Sequence, residues 1–377
     1  MTGTTGWKGR MGGIDRTAGL VLVLAAAVAH LNAHKPVTSK YTYTEDVYPI
    51  VKEHCGGCHV TGGIAPMSLM TYDEARPWAE SIRLELTSGH MPPWYGDPSV
   101  APLRDEHTLS PRDLDVILTW ASGGTPQGTL TKTAGATPRR TWAKGRPDLA
   151  IQLPTAVQLP AEKSDDTREF VLREANDRDR TIAFADVLPG NPAIVHDATI
   201  FTRSQGGGPP AAVISTWLPG EAPLAPAAGF GFLWRAGEQL VVRIHYKKNW
   251  KLENKPASDR STVGVYFAKG TLATTSRAIR AVALQPGRAT SIDDAMLALA
   301  VRASDTPSDV RVRVDAIRPD GSRVPVAAFL TRAGWDQRYW LARPLELPKG
   351  SRLELNTVAP SGAGRVESIR LWLDGAS

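Results

Sequence analysis

The sequence predicts a multidomain protein, a small all-α unit followed by two tandem all-β sandwiches or jelly rolls. Three observations carry that prediction. At 377 residues, with 42% hydrophobic and 22% charged residues, the chain is too long for one small core and has an ordinary globular composition. Before residue 122, helix-start signals precede apolar residues at helical spacing. Beyond residue 147, short apolar or alternating runs are separated by Pro-Gly, Asp-Gly and Lys-Gly turns. The expected division is residues 1–29 as an export signal, 37–128 as the helical unit, 129–146 as a Gly/Thr/Pro-rich linker, and 147–270 and 271–377 as the two sandwiches.

The elements follow in order. Thr44 is a plausible cap for a helix over Glu45–Val51. Thr71-Tyr72-Asp73-Glu74 has the form of a capping box before a helix over Ala75–Thr87, where Ala75, Trp78, Ile82 and Leu86 share a face. Ser110-Pro111 opens a further helix with Leu114, Ile117, Leu118 and Ala121 as its apolar set. Strands are expected over Ala193–Thr202, Gln239–Tyr246, Thr262–Ala268, Val310–Ile317 and Arg352–Thr357, with a hairpin turn at Pro319-Asp320-Gly321-Ser322. Strands that follow one another without intervening helices imply sandwiches, and ~230 residues suit two of them.

The chemistry begins at Cys55-Gly56-Gly57-Cys58-His59. This C-x-x-C-H spacing is the attachment site of a c-type haem: two thiols add to the vinyl groups, and the histidine ligates iron. Cys55 and Cys58 are the chain's only cysteines. A redox dithiol would not need His59 and would want a βαβ context. A zinc site would need a second ligand pair at short spacing, and none follows. With one haem the helical unit becomes a cytochrome c domain, the ring supplying apolar core that ~90 residues could hardly provide alone.

For the second axial position the unit holds Met67, Met70 and Met91. Met91 lies in Gly89-His90-Met91-Pro92-Pro93-Trp94, where prolines stiffen the loop that must present a weakly binding thioether. His90 is the rival ligand. Met67 and Met70, close behind the motif, are expected to pack against the ring or in the core.

Haem of this type is attached outside the bacterial cytoplasmic membrane, so an export signal is expected. Lys8, Arg10 and Arg16 lead into the apolar run Ala18–Ala29, which ends in Ala27-Val28-Ala29. The run is shorter than the ~20 residues that span a bilayer. The reading is a periplasmic protein cleaved after Ala29 or Ala33, or membrane-associated if the segment stays uncleaved. Charge is uneven: residues 37–128 hold 6 Lys+Arg against 12 Asp+Glu, and residues 129–377 hold 34 against 25. This suits docking between modules or recruitment of a redox partner, and equally two solvated surfaces. The basic residues are scattered, with no aromatic-interleaved stripe, so nothing in the sequence points to nucleic acid and no such partner is expected.

The run from Tyr41 to Ser99 resembles the haem domain fused to bacterial copper type II, ascorbate-dependent monooxygenase-like proteins. The likeness continues in Gly145-Arg146-Pro147-Asp148-Leu149, Asn191–His196, Leu240–Tyr246 and Arg318-Pro319-Asp320-Gly321. It implies two consecutive jelly-roll-like sandwiches, as in peptidylglycine and dopamine monooxygenases. Active members bind two coppers, one through three histidines and one through two histidines and a methionine. Beyond Gly128 this chain has only His196, His245 and Met296 of those residue types. His196-Asp197 stands where a His-His pair is usual, Ala303-Ser304-Asp305-Thr306 where the family has His-x-His, and Ser368-Ile369-Arg370-Leu371 where a methionine is expected. One copper could be held by His196, His245 and Asp197, since copper(II) accepts imidazole and carboxylate together. The rival reading leaves both histidines as residual strand residues, His196 facing the core with Ile194, Ala198 and Ile200, and Asp197 pointing away unless a bulge redirects it.

The functional expectation is therefore a periplasmic monohaem electron-transfer protein with a donor and an acceptor protein. Its sandwiches would serve docking or assembly. The alternatives are a copper monooxygenase fed by its own haem domain, and a haem subunit of a larger membrane-associated redox complex.

Overall fold

The computed structural model describes residues 1–3, 38–104, 107–129, 136–173, 175–269, 276–304, 306–359, 366 and 369–377. The expected export segment, Asp305 and Ser368 lie outside the described residues. Among those described, no helix is long and apolar enough to cross a membrane. The described residues are mostly β-sheet, with the α-helices among them confined to the first third of the chain.

Thr42, two residues earlier than expected, opens the first helical segment. Its backbone N–H donates to Asp46 Oδ2 at 2.7 Å, and a wide turn over Tyr43–Val47 continues into α1 (Tyr48–His54). Thr71 makes the expected capping box, accepting from the Glu74 N–H and donating to the Glu74 carboxylate at 2.9 Å. The single helix expected over Ala75–Thr87 is instead α2 (Tyr72–Ala75), a tight turn at Arg76–Trp78, and α3 (Ala79–Thr87). Pro77 explains the interruption, since it brings no N–H to the ladder. Ser110 caps α4 (Pro111–Ser122). The buried face of α4 centres on Val116, Ile117 and Trp120 rather than on Leu114 and Leu118. Trp120 decides the rotation: it is fully buried, and its Nε1–H donates to the Pro126 carbonyl at 3.1 Å. Tyr43, Val47, Val51, Met70, Ile117 and Trp120 form the centre of this core.

The strands are β1 (Leu149–Gln152), β2 (Val157–Leu159), β3 (Asp165–Arg173), β4 (Arg180–Leu188), β5 (Val195–Arg203), β6 (Ala212–Trp217), β7 (Phe230–Trp234), β8 (Gln239–Lys247), β9 (Ala257–Asp259), β10 (Thr262–Phe267), β11 (Arg277–Ala278), β12 (Arg280–Leu284), β13 (Thr290–Ser291), β14 (Met296–Ser304), β15 (Arg311–Ile317), β16 (Arg323–Leu330), β17 (Arg338–Leu347), β18 (Arg352–Val358) and β19 (Arg370–Ala376). The five strands expected from sequence lie within one or two residues of β5, β8, β10, β15 and β18. Two sheets, β1-β10-β4-β7-β11 and β3-β8-β5-β6, enclose one apolar core, with β2–β9 beside them. Two more, β12-β19-β14-β17 and β13-β18-β15-β16, enclose a second. These are two β-sandwiches. The expected hairpin joins β15 to β16, with Gly321 at φ +84°, a conformation open to glycine, and the Arg318 N–H bonded to the Ser322 carbonyl at 2.9 Å.

The sandwiches meet across a buried ionic cluster. Arg338, on β17, donates to Asp374 at 2.8 Å and to the backbone carbonyls of Ile214 and Val213 at 2.8 and 2.6 Å. Arg302 shares Asp374 at 3.3 Å. Leu299, Trp340 and Ala376 join the first sandwich's core from the second. The helical part is tied to both. Residues 94–104 run along the second sandwich, pairing Gly96 with Phe329 and Leu103 with Leu341. In the Gly/Thr/Pro-rich stretch before β1, Arg139 makes a two-pronged salt bridge to the buried Asp186 at 2.9 and 3.0 Å.

Candidate functional site

Cys55 closes α1, its N–H bonded to the Val51 carbonyl at 2.9 Å. The next turn brings the Cys58 and His59 N–H groups back onto the Cys55 carbonyl at 3.1 and 2.9 Å. Both thiols and the imidazole thus stand on one compact turn. The glycines between the cysteines have a steric reason. A Cβ at Gly56 would lie 2.4 Å from the Lys52 carbonyl oxygen, and one at Gly57 would lie 2.7 Å from the Gly220 Cα. Burial pushes both thiols up to about 12, with Glu221 adding to the rise at Cys58. A redox dithiol needs the opposite, a thiol pKa depressed toward neutrality.

His59 Nδ1 lies 3.2 Å from the Met67 carbonyl. A carbonyl only accepts, so Nδ1 carries the proton and Nε2 keeps its lone pair. Burial lowers the histidine's pKa and holds the ring neutral. A neutral imidazole oriented through its other nitrogen is the usual state of a metal-binding histidine. The donor set therefore fits a covalently held haem: two free thiols and a directed imidazole on one turn.

Of the three methionines, Met70 is fully buried and Met67 packs against the helical core, as expected. Met91 is different, with 40% of it exposed. Its loop is pinned at the end of α3, where the N–H groups of His90 and Met91 reach the Glu85 carbonyl at 3.0 and 3.3 Å. His90 turns to the Glu85 side chain at 3.2 Å.

A second constellation lies on β5 and β8. Among the described residues, His196, Asp197 and His245 offer metal-ligating atoms within 4.8 Å of one another. The expectation that His196 faces the core is overturned. The β5–β8 register passes from Val195↔Tyr246 to Asp197↔His245, so His196 is an extra residue in a bulge. The bulge turns both His196 and Asp197 away from the core. Asp197 Oδ2 then lies 2.9 Å from His196 Nδ1 and 2.7 Å from His245 Nδ1, while His245 Nε2 lies 3.0 Å from Asp165 Oδ1. Trp335, from the second sandwich, meets the His196 ring edge-on at 5.5 Å between centroids.

His245 sets a ring nitrogen against each of two carboxylates, and hydrogen bonding to Asp197 raises its pKa. Burial alone would raise Asp197, yet the two imidazoles outweigh it and hold it below the usual carboxylate range. The cluster satisfies itself as an ion-paired clamp. With protons removed it offers three donors to one cation, and His196 and His245 are the only histidines beyond Gly128, which leaves no imidazole for a second ion. Copper loading of the purified protein should therefore yield at most one equivalent per chain by elemental analysis. Two tightly held equivalents would contradict this inventory.

Sequence reasoning missed Glu221, which stands alone in the chain beside a Pro-Gly turn signal and belongs to no motif. It lines a cavity of about 50 Å³ with Trp94, Trp217, Gln337, Arg338 and Trp340, where helical part and sandwiches meet. Trp94 Nε1, Trp217 Nε1 and Gln337 Oε1 are buried there without a protein hydrogen-bond partner. Glu221 is partly open to the cavity, but burial of its carboxyl pushes it from 4.5 up to about 7. A raised acid pKa means that the folded state binds the proton more tightly than the unfolded chain does. Its stability contribution is thus complete below about 4.5 and lost as pH rises to about 7. Glu221→Gln should remove that slope and stabilise the fold at pH 8 by about 2 kcal/mol in denaturant unfolding. Identical pH profiles for the two proteins would refute it.

No family model matches the chain, and no curated protein matches it. Among solved structures, a putative alpha-L-fucosidase from Bacteroides ovatus aligns at TM-score 0.19 and 11% identity, over 58% of this chain and 38% of that one. A Paenibacillus xanthan lyase aligns at TM-score 0.18 and 12% identity, over 66% and 28%. The Sulfolobus Turreted Icosahedral Virus structure aligns at TM-score 0.12 and 9% identity, over 66% and 99%. The chain thus spans well under half the length of the first two. At these scores the likeness decides neither fold nor activity.

Proposed function

We propose that the protein is a periplasmic monohaem c-type cytochrome that transfers electrons, its β-sandwich module serving docking or assembly. The observation that carries the reading is the turn Cys55–His59. Two reduced thiols at the spacing of the haem vinyl groups share one turn with an imidazole whose orientation through Nδ1 suits iron at Nε2. Haem c would supply one-electron chemistry. Cys55 and Cys58 anchor it, His59 ligates the iron, and Met91 is the sixth ligand, a closed His/Met arrangement built for electron transfer at raised potential. The partners are then a donor and an acceptor protein, and membership of a membrane-associated complex is compatible with this role.

The resemblance to copper type II, ascorbate-dependent monooxygenases belongs to this proposal as the origin of the sandwich module, with its jelly-roll-like topology. His196, Asp197 and His245 support a second reading, one retained copper. They do not support the paired-copper reaction, which needs one metal to activate oxygen and another to feed it electrons. The test is a visible spectrum with a redox titration on the exported chain. One reversible one-electron couple with c-type absorption is expected, without rapid carbon monoxide binding. Ascorbate-dependent hydroxylation of a substrate would overturn the reading.

A further inference from the structure

We infer that the second sandwich positions Met91 for the iron, through a strap formed by residues 94–104. The inference rests on the haem reading above. Trp94, only two prolines after Met91, belongs to the second sandwich's core together with Leu103. It meets Tyr339 edge-on at 5.4 Å, and Tyr339 in turn stacks on Phe329 at 4.5 Å. The backbone is stitched on both sides. The Asp97 N–H donates to the Ala328 carbonyl at 2.8 Å and the Leu330 N–H to the Tyr95 carbonyl at 2.9 Å. Farther along, the Arg104 N–H reaches the Trp340 carbonyl at 2.8 Å and the Ala342 N–H the Pro102 carbonyl at 3.0 Å.

The strap binds β16 and then β17, which are the edge strands of two different sheets. It therefore closes the open side of the second sandwich and is no loose tether. On the other side of Met91, the loop is held at the end of α3 by the Glu85 carbonyl and by His90 against the Glu85 carboxylate at 3.2 Å, and the Tyr95 hydroxyl donates to the His90 carbonyl at 3.2 Å. A thioether is a weak iron ligand, so its presentation depends on how firmly both ends of its loop are held. One end is held by α3 and the other by a β-sandwich core. Pro92 and Pro93 transmit the position of that core to Met91 because they restrict backbone rotation. The first sandwich grips the Cys55–His59 turn: a Cβ at Gly57 would lie 2.7 Å from the Gly220 Cα, and Asn249 Nδ2 donates to the Ile64 carbonyl at 3.1 Å. The Cys55–His59 turn is thus seated on the first sandwich and the Met91 loop on the second, and Trp94 is a positioning residue for Met91.

The experiment inserts Gly-Ser-Gly between Pro93 and Trp94 in the full exported chain, leaving every core residue in place. A control puts the same insertion between Pro98 and Ser99, beyond the Trp94 anchor. The readouts are covalent haem content, the sulfur-to-iron band of the ferric spectrum, and carbon monoxide association with the ferrous protein. The first insertion should keep the haem, lose the band and bind carbon monoxide at least about tenfold faster, the usual scale for a lost supporting contact at a metal. The control should match the parent. Tyr339→Ala should behave as the first insertion, and Tyr339→Phe as the parent. A band that survives the first insertion, or disappears in both, overturns the inference. Absence of haem from the parent would instead defeat the haem reading, and a parent band indifferent to Met91→Ala would defeat the ligand assignment.

Discussion

Met91→Ala is expected to leave the haem covalently attached and to open its sixth position. Nothing on the turn Cys55–His59 depends on Met91, so thioether formation and His59 ligation should proceed unchanged. Ferrous protein should then bind carbon monoxide rapidly where the parent does not. Axial ligands move haem potentials within a window of roughly 0.8 V, and loss of a thioether should lower the midpoint by on the order of 0.1–0.3 V. His90 is turned toward Glu85, so it is not poised to substitute. An unchanged midpoint and unchanged carbon monoxide kinetics would remove Met91 from the coordination sphere.

The second large effect is structural. Arg338→Ala should destabilise the protein by about 3–5 kcal/mol in denaturant unfolding, because removing one member of a buried ion pair strands its partner. Asp374 would keep only Arg302 at 3.3 Å, and the carbonyls of Val213 and Ile214 would lose their shared donor. Arg338 also lies against the Phe232 and Trp340 rings at 5.0 and 5.3 Å, so packing between the sandwiches would be lost with the charge. The triple variant Arg302→Met, Arg338→Met, Asp374→Leu should recover much of the loss, since it removes the whole buried charge cluster and strands no ion. A loss below about 1 kcal/mol for Arg338→Ala would show that the cluster does not hold the sandwiches together.

Local signals were legible where the physics is local. Alternating apolar residues located β5, β8, β10, β15 and β18, and Asp320-Gly321 located the hairpin. The capping residues Thr71 and Ser110 located helix starts. Pro77 carried the signal for the break before α3, but the apolar spacing through Leu86 masked it. The rotation of α4 was not legible, because Trp120 and Val116 win the core only against neighbours from distant sequence. The spacing from Cys55 to His59 marked a candidate haem-attachment turn, while its seat on Gly220 and Pro219 was not legible. The bulge at His196 left no composition signal. It arises from pairing with β8, and it converts an expected core histidine into part of a clamp with Asp197 and His245. Glu221 and the strap from Trp94 to Arg104 belong to tertiary contacts that no periodicity announces.

The account stands on the claim that Cys55 and Cys58 carry one porphyrin. Intact mass and iron content of the purified, exported chain under denaturing conditions test it most directly. The expected result is a single haem that remains with the polypeptide after unfolding, with one iron per chain, and that is absent from a Cys55→Ser, Cys58→Ser double variant. A chain of unmodified mass carrying two free thiols would contradict it.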